Sequence, residues 1–496
     1  MSKNVAFIRK EVRSLMPLYK LIRDCLSGSE TVKERGKQYL PMPNPTNQSP
    51  ENIARYEQYL KRAVFYNVTR RTLIGLVGQV FNREPIVNLP VEMEPIINNA
   101  TGGGVTLNQL SKKSLSMTLA YSRSGIFVDY PTTEEGATVE DLKDGGIRPT
   151  INVYSPLEII NWRIVEMGAE ERLSLVVLAE SFCYFDDGFE RKDAPQFRVL
   201  YLDKEGNYNI DIYREANSYT DYKEDKKYDN TQFKLHTSLK PRGPDGKPLK
   251  FIPFMFVGSE NNDSNPDNPN FYDLADLNIA HYRNSADYEE SCFIVGQPTP
   301  VVTGLTQTWY EDVLDKKINF GSIGGVPLGE NMDLKLVQAV PNTMIKEAME
   351  IKERQMVALG AKLVEQKQVQ RTAFEAKVEN IGENSTLGTV TKNVNEAIMW
   401  ALEQCAMYMN IKLSDKNEYV LNTDFDISKT TPEERNQIID SWVKGAISWS
   451  EMRVGLRRAG TATEDDDKAK QEILSDKKAQ AELVQKTAPS ANDITQ

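Results

Sequence analysis

The stretch from Phe271 to Gly304, FYDLADLNIAHYRNSADYEESCFIVGQPTPVVTG, constrains the fold more than any other. Leu274, Leu277, His281, Ser285, Tyr288, Cys292 and Val295 recur three or four residues apart, so they line one stripe of a helix while Asp276, Arg283, Asp287 and Glu290 face elsewhere. Asn270 is placed to cap the first turn through its side-chain oxygen, Asp273 sits at the positive end, and Gly296 followed by Pro298 and Pro300 stops the helix. At about 1.5 Å per residue the helix is roughly 37 Å long. Only half of the stripe is apolar. Small and polar groups at His281, Ser285 and Cys292 suit a helix packed against copies of itself around a wet lumen. A core helix of an ordinary globular domain is the other reading, and periodicity does not choose between them.

A chain of 496 residues has room for two to four domains, and its 40% hydrophobic and 26% charged content is that of a soluble globular protein. No apolar run approaches the roughly 20 residues needed to cross a bilayer, and MSKNVAFIRKEVRSL is too polar for a signal peptide, so a cytoplasmic origin and no membrane partner are expected. Cys25, Cys183, Cys292 and Cys405 are far apart, form no CxxC pair and sit among apolar or helical neighbours; buried free thiols are expected. His236 and His281 are the only histidines, which leaves hydrolase chemistry and histidine metal sites poorly supplied. A net charge of −11 excludes a surface that grips nucleic acid as a whole, but an acidic wall lets a duplex pass without sticking.

Residues 4 to 40 read as a basic amphipathic helical start in which Phe7, Val12, Leu15, Leu18, Leu21 and Ile22 pack on a neighbour. After the loop Pro41 to Pro50, one long helix is expected from Pro50 to about Phe81. Gly102-Gly103-Gly104 lacks the Lys-Ser/Thr of a phosphate loop and is read as the turn before a helix from Thr106 to Ser122. From Gly125 to about Val257, short β-branched and aromatic runs separated by turn residues predict a β-rich domain, with an exposed loop or hairpin at Asn217 to Asn230. The aperiodic run Gly258 to Asn270 links it to the long helix.

Beyond that helix, Pro298 to Val340 reads as a compact insertion with a short helix at WYEDVLDKKINFG and a strand or hairpin around the glycines of 321 to 329. A helix follows from about Asn342 to Leu363, with Met344, Ala348, Ile351, Met356, Leu359 and Leu363 on one side. A second opens at a capping box, Thr372 with Glu375, and runs to Met409 with bends expected at Gly382 and Gly388. Asn417 to Ile427 is read as a strand returning to the β domain; Asp424 and Asp426 lack companion ligands for a metal. Two short helices, from Thr431 and from Ser450, precede a charged, Ala/Gln-rich end read as a solvated helix fading into disorder.

The runs LADLNIAHYRNSADYEE and GQPTPVVTG, together with Asn67 to Pro90, Ser124 to Pro131 and Arg148 to Arg163, resemble tailed-bacteriophage portal proteins, in particular a compact siphophage-like group. The resemblance spans most of residues 10 to 455 through motifs that are specific only together. It implies an α+β portal fold: a wing over 1–270, a first stem helix over 271–297 and an α/β clip insertion over 298–341. A second stem helix over 342–363 and a tunnel loop over 364–371 follow. A long wing helix with a returning strand over 372–427 and a small helical crown with a disordered tail over 428–496 complete it.

The resemblance also implies a dodecameric ring at one capsid vertex, a channel for DNA packaging and ejection, and the attachment point for head–tail connector proteins. Its implied partners are copies of itself, the terminase large subunit, the major capsid protein and scaffold, a head–tail adaptor and the double-stranded DNA in transit. Its implied location is the virion, with assembly in the host cytoplasm. The implied contacts with DNA fall on Gln366, Lys367, Gln368, Gln370 and Arg371, whose amide and cationic side chains suit transient phosphate contacts. No catalytic, cofactor or metal residue is expected, and the absence of a nucleotide-binding motif means that any work comes from a partner. A helical head–tail adaptor without its own DNA channel fits the long helices equally well; assembly state separates the two.

Overall fold

The computed structural model describes residues 4–130, 148–168, 170–215, 233–244, 246–296, 299–314, 329, 331–337, 343–362, 386–423, 425, 432–458, 462 and 468–476. The chain divides into two compact units, residues 1–425 and 426–496.

In the first unit the helices are α1 (Lys10–Ser27), α2 (Ser29–Glu34), α3 (Pro50–Arg62), α4 (Val68–Val80), α5 (Glu94–Asn98), α6 (Leu107–Tyr121), α7 (Tyr272–Val295), α8 (Thr343–Lys362) and α9 (Thr386–Tyr408). The strands are β1 (Ile86–Asn88), β2 (Arg123–Asp129), β3 (Thr150–Tyr154), β4 (Ile159–Met167), β5 (Glu170–Asp186) and β6 (Arg191–Leu202). Then come β7 (Tyr208–Glu215), β8 (Phe233–Leu239), β9 (Phe254–Gly258), β10 (Thr299–Thr303), β11 (Asp333–Val337) and β12 (Glu418–Val420). Mixed helix and sheet, with the strands gathered in the middle of the chain, agree with the α+β class expected from the sequence.

The expected β region forms two antiparallel sheets, one ordered β3-β2-β9 and the other β4-β5-β6-β7-β8. The five-stranded sheet shows why alternation matters. Val176, Leu178 and Leu200 point into the main core, while Val177, Val199 and Phe197 point the other way into a separate small cluster. In the smaller sheet Gly125 is needed because a Cβ there would stand 2.4 Å from the Phe254 ring. Arg123 opens β2 deep inside, sandwiched between Trp162 (4.6 Å) and Phe256 (4.2 Å) and donating to the Ser264 carbonyl at 2.8 Å. Burial pulls its pKa down to about 10.

The main core gathers on α9, where Leu387, Val390, Val394, Ile398, Leu402 and Cys405 are fully buried. Burying each large aliphatic side chain favours folding by about 1.5–3 kcal/mol. α6 starts at the expected place because Thr106 and Gln109 form a reciprocal capping box.

Four expectations are corrected. The single helix from Pro50 to Phe81 is two: Ala63–Asn67 leaves the helical path, and Val64 exchanges two hydrogen bonds with the Ser285 hydroxyl instead (3.1 and 2.7 Å). The helical start of residues 4–40 is broken at Gly28, whose φ of 113° only glycine adopts readily. Asn270 does not cap α7; its backbone N–H is taken by the Ser122 hydroxyl at 2.9 Å, and the helix begins after Phe271 without a side-chain cap. Among the described residues the strand expected to return to the β domain is Glu418–Val420, and it pairs instead with β1, a strand not expected from the sequence.

The second unit, taken by itself, contains α10 (Pro432–Val443), α11 (Trp449–Arg458) and a helical stretch at 468–476. Gly445 at φ 74° ends the first turn after α10, and a Ser448–Glu451 capping box starts α11 (2.6 and 3.2 Å). Gly455 lets the two helices approach closely, because a Cβ there would stand 3.2 Å from Ile438. Lys470 lies 4.8 Å from the centre of the Trp449 ring and ties the last stretch to α11. The described helices sit where the sequence placed them.

Candidate assembly interface

The conspicuous construction of the first unit is the pair α7 and α8, with the antiparallel strands β10 and β11 lying between them in sequence. The two halves of α7 do different work. From Leu274 to Ala286 it is buried, with Leu274, Ala275, Ile279 and Tyr282 in the main core. Asn278, fully buried, caps a helix other than its own: its oxygen accepts from the N–H groups of Val68 and Thr69 (3.1 Å each) and from the Thr69 hydroxyl (2.9 Å). Its amide nitrogen donates to the Tyr66 carbonyl at 2.8 Å. The open N-terminus of α4 is thereby satisfied across the fold.

Beyond Ala286 the helix emerges from the core and is held by charge and aromatic contacts to α3. Tyr59 donates to the Asp287 carboxylate at 2.6 Å, and Arg55 and Arg62 both pair with Glu290. Burial first, and then that hydrogen bond, pushes the Tyr59 hydroxyl far above its ordinary value. The Arg62 guanidinium also covers the Phe293 ring at 4.4 Å.

α8 lies alongside α7, joined to it by His281 Nε2 and Glu353 Oε1 at 3.2 Å. The other ring nitrogen of His281 has no partner among the described residues. Near its end, Gly360 permits close approach to α4, since a Cβ there would stand 3.2 Å from Thr72. Among the described side chains of α8, only Met356 is fully buried; Met344 is 73% exposed, Ile351 47% and Val357 68%. Phe293 and Ile294 on α7, Val301 on β10 and Leu334 on β11 are also exposed. At the end of β10 Gly304, at φ 79°, is required twice over, because a Cβ would lie 2.5 Å from the Asn331 carbonyl oxygen.

The α7 stripe is therefore not a polar wall facing copies of itself. His281 and Ser285 are buried against the chain's own residues 63–67 and α8, while Cys292 is exposed. The expectation of four buried thiols holds for Cys25 and Cys405, whose pKa values burial pushes far up, and fails for Cys183 and Cys292. Cys183 lies on an exposed part of β5 and Cys292 on the emergent half of α7, where apolar neighbours in sequence do not mean cover in space. Gln366, Lys367, Gln368, Gln370 and Arg371 lie outside the described residues, as do Asp424, Asp426, the Thr372–Glu375 capping box, the Asn217–Asn230 loop and most of the glycines of 321 to 329. Sequence reasoning missed Asn278; the available signal was an asparagine three residues before His281 on the buried side of an apolar helix.

No described group of three or more His, Cys, Asp or Glu residues converges as a metal site would require, and no described helix is long and apolar enough to cross a membrane. The geometry offers a helical pair whose exterior mixes charged side chains with the exposed Ile351, Val357, Phe293 and Ile294, and an antiparallel strand pair between the two helices in sequence.

A family model described as a domain of unknown function (DUF4055) matches residues 270–409, from the entry of α7 to the end of α9. No curated protein matches the chain. Among solved structures, the chain is similar to one from the neck of an empty GTA particle computed with C6 symmetry, at 14% identity and a TM-score of 0.41, covering 79% of this chain and 90% of that one. It is also similar to a chain from the neck of a native GTA particle computed with C12 symmetry, at 12% identity and a TM-score of 0.39, covering 80% and 92%.

Proposed function

We propose that this protein is a structural subunit of the head–tail junction of a phage-like particle and, more finely, a portal subunit. Copies form a ring at one capsid vertex through which a separate terminase motor drives DNA in and from which DNA later leaves. The observation that carries this reading is the α7–α8 pair with the strands β10 and β11 between them, where Ile351 and Val357 of α8 stand exposed among the described residues. A second copy covers them, as obligate assemblies of identical chains bury apolar faces that monomers seldom leave open. The quoted sequence runs that resemble portal proteins bracket this same construction.

In this mechanism the helical pair is a strut, the strands β10 and β11 face the motor and later the tail adaptors, and Gln366, Lys367, Gln368, Gln370 and Arg371 sense or hold the duplex. The test is mass determination and negative-stain microscopy of the purified chain at micromolar concentration. Rings with a hole wide enough for duplex DNA are expected; a stable monomer in the presence of capsid and scaffold proteins would overturn the reading in favour of an adaptor. Deleting Gln366 to Gln370 is expected to leave rings intact while impairing packaging or retention of DNA, and unchanged packaging would remove the loop's role.

A further inference from the structure

The β5–β6 hairpin carries an aromatic residue at its tip that the chain itself does not use. Phe189 is 103% exposed, with Phe185 beside it at 42%. The turn is nevertheless well defined: Asp186 accepts from the Gly188 N–H at 2.9 Å, and Asp187 accepts from those of Phe189 (2.9 Å) and Glu190 (2.6 Å). Those backbone donors hold the Asp187 carboxyl below its usual range. The tip therefore presents a fixed aromatic ring among Asp186, Asp187, Glu190 and Asp193, against Arg191 and Lys192. An ordered, fully exposed phenylalanine is the kind of residue that anchors protein interfaces.

At the other end of the same strands, on the face turned away from the main core, lies a groove of about 770 Å³. Its floor is apolar, made by Val165, Leu175, Val177, Val199, Tyr201 and Tyr213. Arg163, Arg172 and Lys204 also line it, and the first and last of these make no ion pair among the described residues. Its carboxylates are engaged locally: Asp203 accepts from the N–H groups of Glu205 and Asn207, Glu205 from the Asn207 amide, and Asp211 from the Ser238 hydroxyl. The chain already uses this face to seat an apolar turn, since Val5, Ala6 and Ile8 pack on Val177, Val199 and their neighbours.

We infer that the Phe189 tip of one copy inserts into this groove of the next. The inference rests on the ring reading above and adds to it a specific contact between subunits. Groove and tip are separated along the hairpin by the nine residues from Val177 to Asp186, roughly 30 Å at strand rise, and so belong to opposite ends of one sheet. Two different, complementary patches at opposite ends give a head-to-tail contact, the kind that closes into a ring when the rotation allows. The acidic tip meets the groove's cations, which fixes orientation.

The test uses the full chain with a benzoyl-phenylalanine photo-crosslinker at position 189, mixing isotopically labelled and unlabelled copies. Mixed-isotope cross-links to peptides covering 161–177 or 199–213 are expected. Cross-links confined to other segments, or to one copy, would overturn the inference. Two variants give a second readout. Phe189→Asp and Val165→Asp each weaken self-association roughly 30-fold, the effect of losing an interface anchor. An equimolar mixture of the two restores one tip–groove pair and yields a species of twice the subunit mass that goes no further. If wild-type rings form and both variants form them equally well, the tip–groove contact is wrong while the ring stands. If the wild type forms no ring but the mapped cross-links appear, the ring reading fails and the contact stands.

Discussion

α8 and α9 are two helices of similar length, and they meet opposite fates. α9 buries Leu387, Val390, Val394, Ile398, Leu402 and Cys405 completely, while α8 buries only Met356 among its described side chains and leaves Met344, Ile351 and Val357 in the open. The difference is one of neighbours. α9 is packed against α6 and the β2–β9 side of the small sheet, with Asn393 donating to the Gly258 carbonyl at 2.9 Å and Asn395 accepting from the Leu421 N–H at 2.9 Å. α8 has α7 on one side and, near its end, Thr72 of α4. Charge already sets the two apart, since α8 holds Lys346, Glu347, Glu350, Lys352, Glu353 and Arg354 where α9 is mostly apolar, but it does not say what covers the apolar residues of α8.

The comparison breaks most visibly at the buried helix. Leu402→Ala is expected to lower the unfolding free energy of the isolated chain by about 2–5 kcal/mol, read from urea denaturation, because a filled core position becomes a cavity. A change below about 1 kcal/mol there would mean that α9 is not the centre of the core.

Next in size is the link that ties α7 to the remainder of the unit. Asn278→Ala is expected to cost about 1–3 kcal/mol, since it removes the acceptor of the buried Thr69 N–H and hydroxyl, while the Val68 N–H and the Tyr66 carbonyl keep their bond to each other at 2.9 Å. Amide hydrogen exchange at the start of α4 should accelerate in that variant, and unchanged exchange there would contradict the capping role.

A third test uses pH. Asp24 is 1% exposed, and burial alone would raise its pKa. Hydrogen bonds from Arg35 (2.8 Å), Tyr39 (2.8 Å) and Arg23 outweigh burial and bring it below the ordinary value. A carboxyl with a depressed folded-state pKa contributes stability that is full above its unfolded value, about 3.9, and is lost as pH falls through the lower folded value. The wild-type chain should therefore lose stability on acidification below about pH 4, and Asp24→Asn should show a shallower decline over the same window.

The smallest effect sharpens the contrast. Met344→Glu with Val357→Glu should change the stability of the isolated chain by less than about 0.5 kcal/mol, because both side chains are already in water. The same double variant should fail to assemble. Equal assembly by the double variant would place the covering partner of α8 elsewhere.

Much of this was readable in the residues. The 3.6-residue period of Leu274 to Val295, the glycine turn before Thr106 and the short β-branched runs between Gly125 and Val257 predicted α7, α6 and the sheet strands because each signal is local: turns, composition and periodicity act within a few residues. The break between α3 and α4 was not readable, because nothing in residues 63–67 forbids a helix; Ser285 and Asn278, more than 200 positions away, supply the competing hydrogen bonds. The fates of Cys183 and Cys292 were hidden for the same reason, since exposure belongs to the fold and not to the flanking residues.

The sequence by itself determined where most helices and the β-rich region lie, that the protein carries little histidine chemistry, and that a long half-polar helix stands at its centre. Only the tertiary structure decided that the polar groups of that helix face inward to cap and bind its own chain, and that the apolar groups of α8 face outward. The physical reason is that hydrogen-bond satisfaction and burial are settled by partners distant in sequence, which a periodic pattern anticipates as a face but cannot assign to a neighbour.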